Sequence, residues 1–260
     1  HQMRQAAQFG LQGQTPELDF RSLTGRIEQV IKDIEPHDSV ERYTGLGVDV
    51  VQGYARLIDP WTVEISRADG EVQRLTSRSI VLATGASPVV PSLPGLADTG
   101  YVTSDTLWET LSSLNELPKR IVILGGGPIG CELSQSFARL GADVSQIEMA
   151  DSVMAREDED VSSFVASTLT ADGVNLLLGH KALRCQREAD EKQIVLGKDV
   201  KEVAVNYDML ICAVGRKPRL KGYGLEALDI DTDQPLHTND FLETRFPNIL
   251  ACGDLVGPYQ

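Results

Sequence analysis

The 260-residue sequence is short of cysteine, histidine and positive charge, and it has no long apolar run. Its four cysteines are scattered without a CxxC pair, which is unlike both a zinc site and a disulfide framework. With 24 basic residues against 38 acidic ones, the net charge of −14 disfavours binding to nucleic acid or to anionic lipid. No apolar stretch reaches the roughly 18–20 residues that a membrane helix needs, so no membrane segment is predicted.

The few cysteines and histidines also limit the kinds of functional site that the chain can contain. The cysteines are interpreted as small buried side chains in a reducing compartment, so we expect a cytoplasmic protein. The first ten residues lack the apolar segment of a signal peptide. Three histidines lie far apart, and the acidic run at 156–160 is better explained by a helix start than by metal ligands. We predict no metal site and no catalytic histidine among His37, His180 and His237.

The apolar pattern predicts a mixed α/β chain. Helical spacing ends near residue 34, and strands follow from residue 48, with a hairpin at Asp69-Gly70. A three-proline stretch at 87–96 reads as a surface connection. Beyond residue 120, apolar strands alternate with helices, which is typical of a parallel sheet in a three-layer Rossmann-like domain.

One stretch carries a dinucleotide fingerprint: RIVILGGGPIGCELSQSFARLGADVSQIEMAD, residues 120–151. A strand runs into a glycine turn and then a helix, as in βαβ nucleotide-binding units. Gly125 allows the tight turn, Gly127 lets the backbone approach a pyrophosphate, and Gly130 lets the helix pack closely. Pro128 suits the first helical turn, and the positive helix N-terminus favours a phosphate.

An acidic residue closes the second strand of this unit. Glu148 follows Gly125 by 23 residues, where a carboxylate accepts hydrogen bonds from ribose hydroxyls and repels a 2′-phosphate. The site should therefore favour NAD over NADP. The alternative is an exposed carboxylate at a strand end. Ser145 and Gln146 interrupt the apolar strand, which predicts that this strand is a less central one.

Three further stretches surround the fingerprint: SIVLATGASPVVPSLPGL at 79–96, DMLICAVGRKP at 208–218 and NILACGDLVGPYQ at 248–260. In this order the sequence resembles the pyridine nucleotide-disulfide oxidoreductase family of flavoproteins, in its dihydrolipoamide dehydrogenase and mercuric reductase branch. The resemblance implies an NAD-binding domain at 113–235, inserted into a partial FAD-binding domain at 1–112 and 236–260, with small antiparallel β-meanders.

The resemblance also implies that the chain is the middle of a longer protein. The first FAD fingerprint and the redox-active cysteine pair are expected before His1, and a dimer-forming interface domain after Gln260. On its own the chain is expected to bind NAD weakly, hold little FAD and be inactive.

Site residues follow from the resemblance where the motifs match. The NAD side comprises Gly125, Gly126, Gly127, Pro128, Ile129, Gly130, Glu132, Glu148, Ala182 and Gly215. The FAD side comprises Ala55, Thr84, Gly85, Ala86, Arg216, Asp254 and Gln260. No catalytic residue is assigned within the chain, although Glu132 also resembles a glutamate that pairs with a lysine beside the flavin. Two alternatives stay open: Asp254 as a helix N-cap and Arg216 as a solvated basic residue.

The resemblance implies hydride transfer from NADH to FAD and then to a disulfide, in a homodimer. Pro128 stands where several members have a tyrosine, and the substrate stays open among dihydrolipoamide, mercuric ion, another disulfide, a quinone and oxygen. Two rivals remain: an NADH oxidase or ferredoxin reductase without the cysteine pair, and a non-catalytic NAD-binding protein. A plain NAD-dependent dehydrogenase leaves the ATG, AVGR and ACGD turns unexplained.

Overall fold

A computed structural model describes residues 2–14 and 17–257. The chain forms two compact units, one of residues up to 31 with 88–215 and one of residues 32–87 with those from 216 onward. These units divide the chain at other residues than the predicted domains do, because residues up to 31 and 88–112 belong to the first unit and 216–235 to the second. The assignment of either part to a cofactor stays a prediction.

The described residues contain six α-helices, fifteen strands and short 3₁₀ turns. The helices are α1 (Phe20–Ile34), α2 (Val40–Gly45), α3 (Leu96–Thr99), α4 (Leu107–Ser112), α5 (Pro128–Leu140) and α6 (Glu159–Ala171). The strands are β1 (Tyr54–Asp59), β2 (Thr62–Ser66), β3 (Val72–Thr76), β4 (Ile80–Leu82), β5 (Ala86–Pro88), β6 (Val102–Thr103), β7 (Arg120–Leu124), β8 (Asp143–Glu148), β9 (Asn175–Leu178), β10 (Lys181–Glu188), β11 (Glu191–Lys198), β12 (Lys201–Tyr207), β13 (Met209–Cys212), β14 (Arg216–Pro218) and β15 (Ile249–Ala251). The 3₁₀ turns are Ala6–Phe9, Glu35–Asp38, Glu226–Leu228 and Gly253–Leu255.

The first unit is built on a five-stranded parallel sheet in the order β6-β13-β7-β8-β9. Side chains alternate between the two faces of its strands. On β7, Ile121 and Ile123 join the apolar core with α5 and α6, whereas Val122 and Leu124 join a second core with β10–β12. The antiparallel meander β10–β12 thus covers the face opposite the helices. This arrangement confirms the predicted three-layer α/β class with antiparallel meanders.

The second strand of the fingerprint lies one place from the edge of the sheet. β8 pairs with the middle strand β7 on one side and with the edge strand β9 on the other, so it is less central than β7, as predicted. Its Gln146 is fully buried. The polar residue does not mark a sheet edge because its amide finds acceptors inside the protein.

Helix boundaries follow local chemistry. Pro128 occupies the first position of α5, where its missing N–H is no loss, and Gly141 ends the helix in the left-handed region at φ 108°. The acidic run places Glu159 and Asp160 in the first turn of α6, which fits the helix-dipole interpretation.

The second unit contains the antiparallel meander β1–β3, the parallel pair β4–β15 and the pair β5–β14. The predicted hairpin at Asp69-Gly70 connects β2 to β3, and Gly70 N bonds Arg67 O at 3.0 Å. The apolar core of this unit consists of Leu57, Ile80, Leu82, Leu220, Leu225, Ile230, Leu236, Ile249, Ala251 and Leu255.

An ion pair at the start of β7 predicts a pH-dependent contribution to stability. Arg120 Nη2 lies 2.6 Å from Asp208 Oδ1, and Arg120 N donates to Asp208 Oδ2 at 2.8 Å. These bonds hold the pKa of Asp208 below its usual 3.8. The ionised carboxylate therefore stabilises the folded state above that pH, and the stabilisation is lost as the pH falls through the folded-state pKa.

We predict that Asp208→Asn lowers the Tm by about 2–4 °C at pH 7, and that this deficit shrinks at acid pH. Thermal melts from pH 7 to pH 3 measure the difference. Asp233→Asn is the control, because the Lys221 and Asp233 side chains are 71% and 77% exposed and solvent screens their pairing. A deficit for Asp208→Asn that is equal at every pH would contradict the account.

Candidate dinucleotide-binding site

The glycine turn after β7 is packed on two sides and open on the third. A Cβ atom at Gly125 would lie 2.2 Å from Ala213 O, and one at Gly130 would lie 2.2 Å from Gly125 O. Gly125 also has φ 113°, which disfavours other residues. At Gly127, by contrast, a Cβ would meet nothing within 4 Å. Among these three glycines, only Gly127 therefore presents open backbone to a ligand.

The backbone of the turn is bonded to β8 and to the loop that follows β8. Gly125 N donates to Ile147 O at 2.8 Å, and Gly126 N donates to Glu148 Oε2 at 2.6 Å. Gly126 O accepts from Met154 N at 2.7 Å. The polar groups of Gly125 and Gly126 that face the protein are thus satisfied without a ligand.

Glu148 supports the turn and keeps capacity for further bonds. Its Oε1 accepts from Ala150 N at 2.8 Å, while its Oε2 accepts from Gly126 N. An ionised carboxylate has about four acceptor positions, so two remain for outside donors. The Glu148 side chain also packs closely against Gly126, since a Cβ atom placed at Gly126 would lie 2.8 Å from Glu148 Oε2.

The N-terminus of α5 offers donors to an anion. The first helical bond described runs from Cys131 N to Gly127 O at 3.0 Å, so the preceding N–H groups have no acceptor within the helix. Pro128 contributes no N–H, which leaves Gly127, Ile129 and Gly130 as candidate donors. Their partial positive charge and the helix dipole favour a phosphate here.

Three further residues predicted for the NAD side lie outside the glycine turn: Glu132, Ala182 and Gly215. Gly215 is exposed and has a φ of 125°. It lies two residues after Ala213, and its carbonyl oxygen accepts a hydrogen bond from Val89 N. Ala182 is the second residue of β10 and packs against the core of the meander, while His180 N donates to Glu148 O at 3.0 Å. Glu132 is exposed on α5.

On the FAD side, two predicted turns meet at one edge of the second unit. β4 and β15 are parallel and in register, so both reach their carboxyl ends together, and Cys252 N donates to Leu82 O at 3.1 Å. Gly85 and Gly253 follow them at φ 69° and 71°, and a Cβ at either would meet nothing within 4 Å. Carboxyl ends of parallel strands are where α/β sheets bind ligands.

Hydrogen bonds connect the first of these turns to β14. Thr84 Oγ1 donates to Arg219 O at 2.6 Å, and Arg216 Nη2 donates to Ala86 O at 2.7 Å. The Arg216 side chain thus bonds the neighbouring turn, in a way that a purely solvated basic residue would not.

Asp254 is exposed on the 3₁₀ turn Gly253–Leu255, which contacts β14. Ala55 is exposed on β1, and no contact described for it reaches these turns. Gln260 lies outside the described residues.

The sequence reasoning missed several groups that hold the glycine turn. Gln146 Nε2 donates to Gly125 O at 3.0 Å, and the Cys131 thiol donates to Gly126 O at 3.5 Å. The signal for Gln146 was present, since an amide in an apolar strand two residues before the acidic residue requires a buried acceptor. Met154 N and Ala213 O are backbone groups that carry no such sequence signal.

Neither a disulfide nor a cluster of metal ligands occurs among the described residues. All four thiols are free, and burial raises the pKa of the Cys131 and Cys185 thiols and that of Cys212 to about 12. Across residues 2–14 and 17–257, three or more potential metal ligands never cluster together. No helix in that part of the chain is long and apolar enough to span a membrane.

The chain is similar to known proteins over nearly its whole length. The family model for pyridine nucleotide-disulphide oxidoreductases matches residues 7–260. Dihydrolipoyl dehydrogenase of Pseudomonas aeruginosa is 35% identical over 250 residues, and mercuric reductase of Staphylococcus aureus is 30% identical over 252. Each alignment covers 96% of this chain but only 52% and 44% of the relative, so the chain spans about half the length of these relatives.

A solved structure agrees in fold. The HOCl-induced flavoprotein disulfide reductase RclA from Escherichia coli superposes with a TM-score of 0.79 at 27% identity. The match covers 99% of this chain and 56% of that one.

The packing of the turn predicts that substitution of Gly130 destabilises the protein and that substitution of Gly127 does not. Gly130→Ala places a Cβ against Gly125 O and should lower the free energy of unfolding by about 1–3 kcal/mol. Gly127→Ala has open space and φ −77°, so it should stay within about 0.5 kcal/mol of the parent. Urea unfolding of both variants measures this, and equal destabilisation would contradict the assigned packing.

Proposed function

The chain belongs to the pyridine nucleotide-disulphide oxidoreductase family, and we propose that it forms the nucleotide-handling part of an FAD-dependent NADH oxidoreductase. The observation that carries the proposal is the one-sided opening of the glycine turn at Gly127, beside Glu148 and the N-terminus of α5. A pyrophosphate and a ribose require donors and an acceptor in this order.

The turn suits NAD by its chemistry. The N–H groups of Gly127, Ile129 and Gly130 would hold the pyrophosphate, and the bonded Gly125 and Gly126 would keep the turn in place. The dinucleotide would be bordered by Gly126, Pro128, Glu132, Ala182 and Gly215. Because the backbone supplies the donors, binding needs little rearrangement of side chains.

Glu148 is proposed to select NADH. Its two remaining acceptor positions match the two ribose hydroxyls, whereas a 2′-phosphate would face a carboxylate already held by Gly126 N and Ala150 N. A carboxylate fixed from both oxygens cannot easily turn away, so repulsion of the phosphate should persist.

The two turns of the second unit are proposed to hold part of FAD. Thr84, Gly85 and Ala86 would line one side and Asp254 the other, with Arg216 fixing the first turn through Ala86 O. Ala55 and Gln260 are further proposed neighbours. When bound, FAD accepts a hydride from NADH and supplies two electrons to an acceptor. The protein residues bind, orient and exclude water.

For the complete protein we propose a redox disulfide as the acceptor of these electrons, in a cytoplasmic homodimer. The named relatives act on mercuric ion or a dihydrolipoyl group, so a small disulfide, dithiol or metal-ion substrate is proposed. The four free thiols support a reducing compartment. NAD-binding residues are proposed at 113–235 and FAD-binding residues at 1–112 and 236–260.

An NADH oxidase or ferredoxin reductase without the cysteine pair would use the same glycine turn for NADH and the same two turns of the second unit for FAD. A non-catalytic NAD-binding protein would use the glycine turn alone.

The function is tested on the protein expressed from its complete reading frame. We expect a flavin spectrum, a long-wavelength charge-transfer band on anaerobic addition of NADH, and two new thiols per flavin. Thiol counting before and after NADH addition measures the last of these.

Flavin reduction without new thiols would overturn the disulfide-reductase proposal in favour of the oxidase class. NADH binding by a protein that takes up no flavin would support the non-catalytic alternative. Failure to bind NADH at all would contradict every form of the proposal.

Selection between nucleotides gives a separate prediction. Glu148→Gln should weaken NADH binding about tenfold and bring the NADH and NADPH dissociation constants closer together, because the charge that opposes the 2′-phosphate is removed. Fluorescence titration with both nucleotides measures the ratio. Glu159→Gln removes an exposed carboxylate at the start of α6 and should leave the ratio unchanged. An unchanged ratio in Glu148→Gln would refute the role of Glu148.

A further inference from the structure

A buried amide lies directly beneath the glycine turn. Gln146 is 0% exposed in the middle of β8, where its strand neighbours Val144 and Ile147 are buried apolar residues. Its Nε2 group donates to Gly125 O at 3.0 Å and to Cys131 Sγ at 3.5 Å. Both amide hydrogens are therefore directed at the fingerprint and the first turns of α5.

The other half of the same amide is not satisfied. Gln146 Oε1 is buried without a hydrogen-bond partner in the described structure. An apolar residue of the same length would fill the same space without an unpartnered oxygen, but it would not bond Gly125 O. Packing alone therefore does not explain a glutamine at this position.

The amide acts together with the Cys131 thiol. Burial raises the pKa of Cys131, so the thiol stays protonated and can donate. Its Sγ accepts from Gln146 and donates to Gly126 O at 3.5 Å, where Met154 N also donates. The carbonyls of Gly125 and Gly126 are thus both held toward the protein interior.

The direction of those two carbonyls decides what the turn can bind. A peptide that flipped would point a carbonyl oxygen outward, where it would repel a phosphate oxygen. With both carbonyls turned inward, the open side of the turn presents N–H groups from Gly127 onward.

We propose that Gln146 is a positioning residue for dinucleotide binding, which holds the turn in the form that accepts a pyrophosphate through Gly125 O and Cys131. This inference rests on the proposed NAD site. It predicts that removal of the amide weakens pyrophosphate binding while the protein stays folded and keeps its affinity for a ligand without a pyrophosphate.

The test replaces the amide by an apolar side chain of similar length in the protein expressed from its complete reading frame. Gln146→Met should bind ADP-ribose at least about tenfold more weakly, because the turn is no longer preorganised. It should bind adenosine, which has no pyrophosphate, as well as the parent does. Its Tm should stay within about 4 °C of the parent value, because the bond to Gly125 O is lost while an unpartnered oxygen is removed. Isothermal titration, ligand-observed NMR and thermal melts supply the three readouts.

Ser134→Ala is the matched control. Ser134 is likewise 0% exposed with an orphan hydroxyl, but it has no described bond to the turn. It should leave ADP-ribose binding unchanged. Gln146→Leu provides a second apolar variant and should show the same separation between the two ligands, including when Gln146→Met fails to fold.

Each outcome decides a separate point. Parent-like ADP-ribose binding in either Gln146 variant would overturn the positioning role while the NAD site stands. Equal loss of ADP-ribose and adenosine binding, with a lowered Tm, would also overturn it by showing a general structural role. Absence of ADP-ribose binding in the parent would overturn the proposed NAD site itself.

Discussion

The close approach of backbone to backbone at the glycine turn is the constraint on which the candidate site depends. Gly125 lies against Ala213 O at the end of β13, and Gly130 lies against Gly125 O. No side chain fits at either position, so β7, β13 and α5 converge with a separation that only glycine permits. The same convergence aims the N-terminus of α5 at the open space beside Gly127.

The alternation of side chains along the parallel strands keeps this convergence rigid. Ile121 and Ile123 anchor one face of β7 among the helices, and Val122 and Leu124 anchor the other against the β10–β12 meander. Because both faces are covered, the carboxyl edge of the sheet is where backbone is left for a ligand. Among the polar side chains buried in this interior, that of Gln146 bonds the turn.

Much of this arrangement could be predicted from local sequence. The glycine spacing, Pro128 and the acidic residue at position 148 determine local conformation and charge, and the three-layer α/β class followed from apolar periods. The pairing of β8 with β9 could not be predicted, because strand order is decided by pairings distant in the sequence. The acceptor of the Gln146 amide could not be predicted for the same reason, since Gly125 is 21 residues away. The contact between Gly125 and Ala213 spans still more of the chain, so no local rule anticipates it.

The most direct test of the central claim is the set of amide groups that respond to ADP-ribose. In ¹⁵N-resolved NMR spectra of the protein from its complete reading frame, the account predicts that the N–H signals of Gly127, Ile129 and Gly130 shift most. Those of Gly125 and Gly126, already bonded to Ile147 and Glu148, should shift less. Largest shifts away from this turn, with residues 127–130 unaffected, would contradict the claim that the glycine turn binds the dinucleotide.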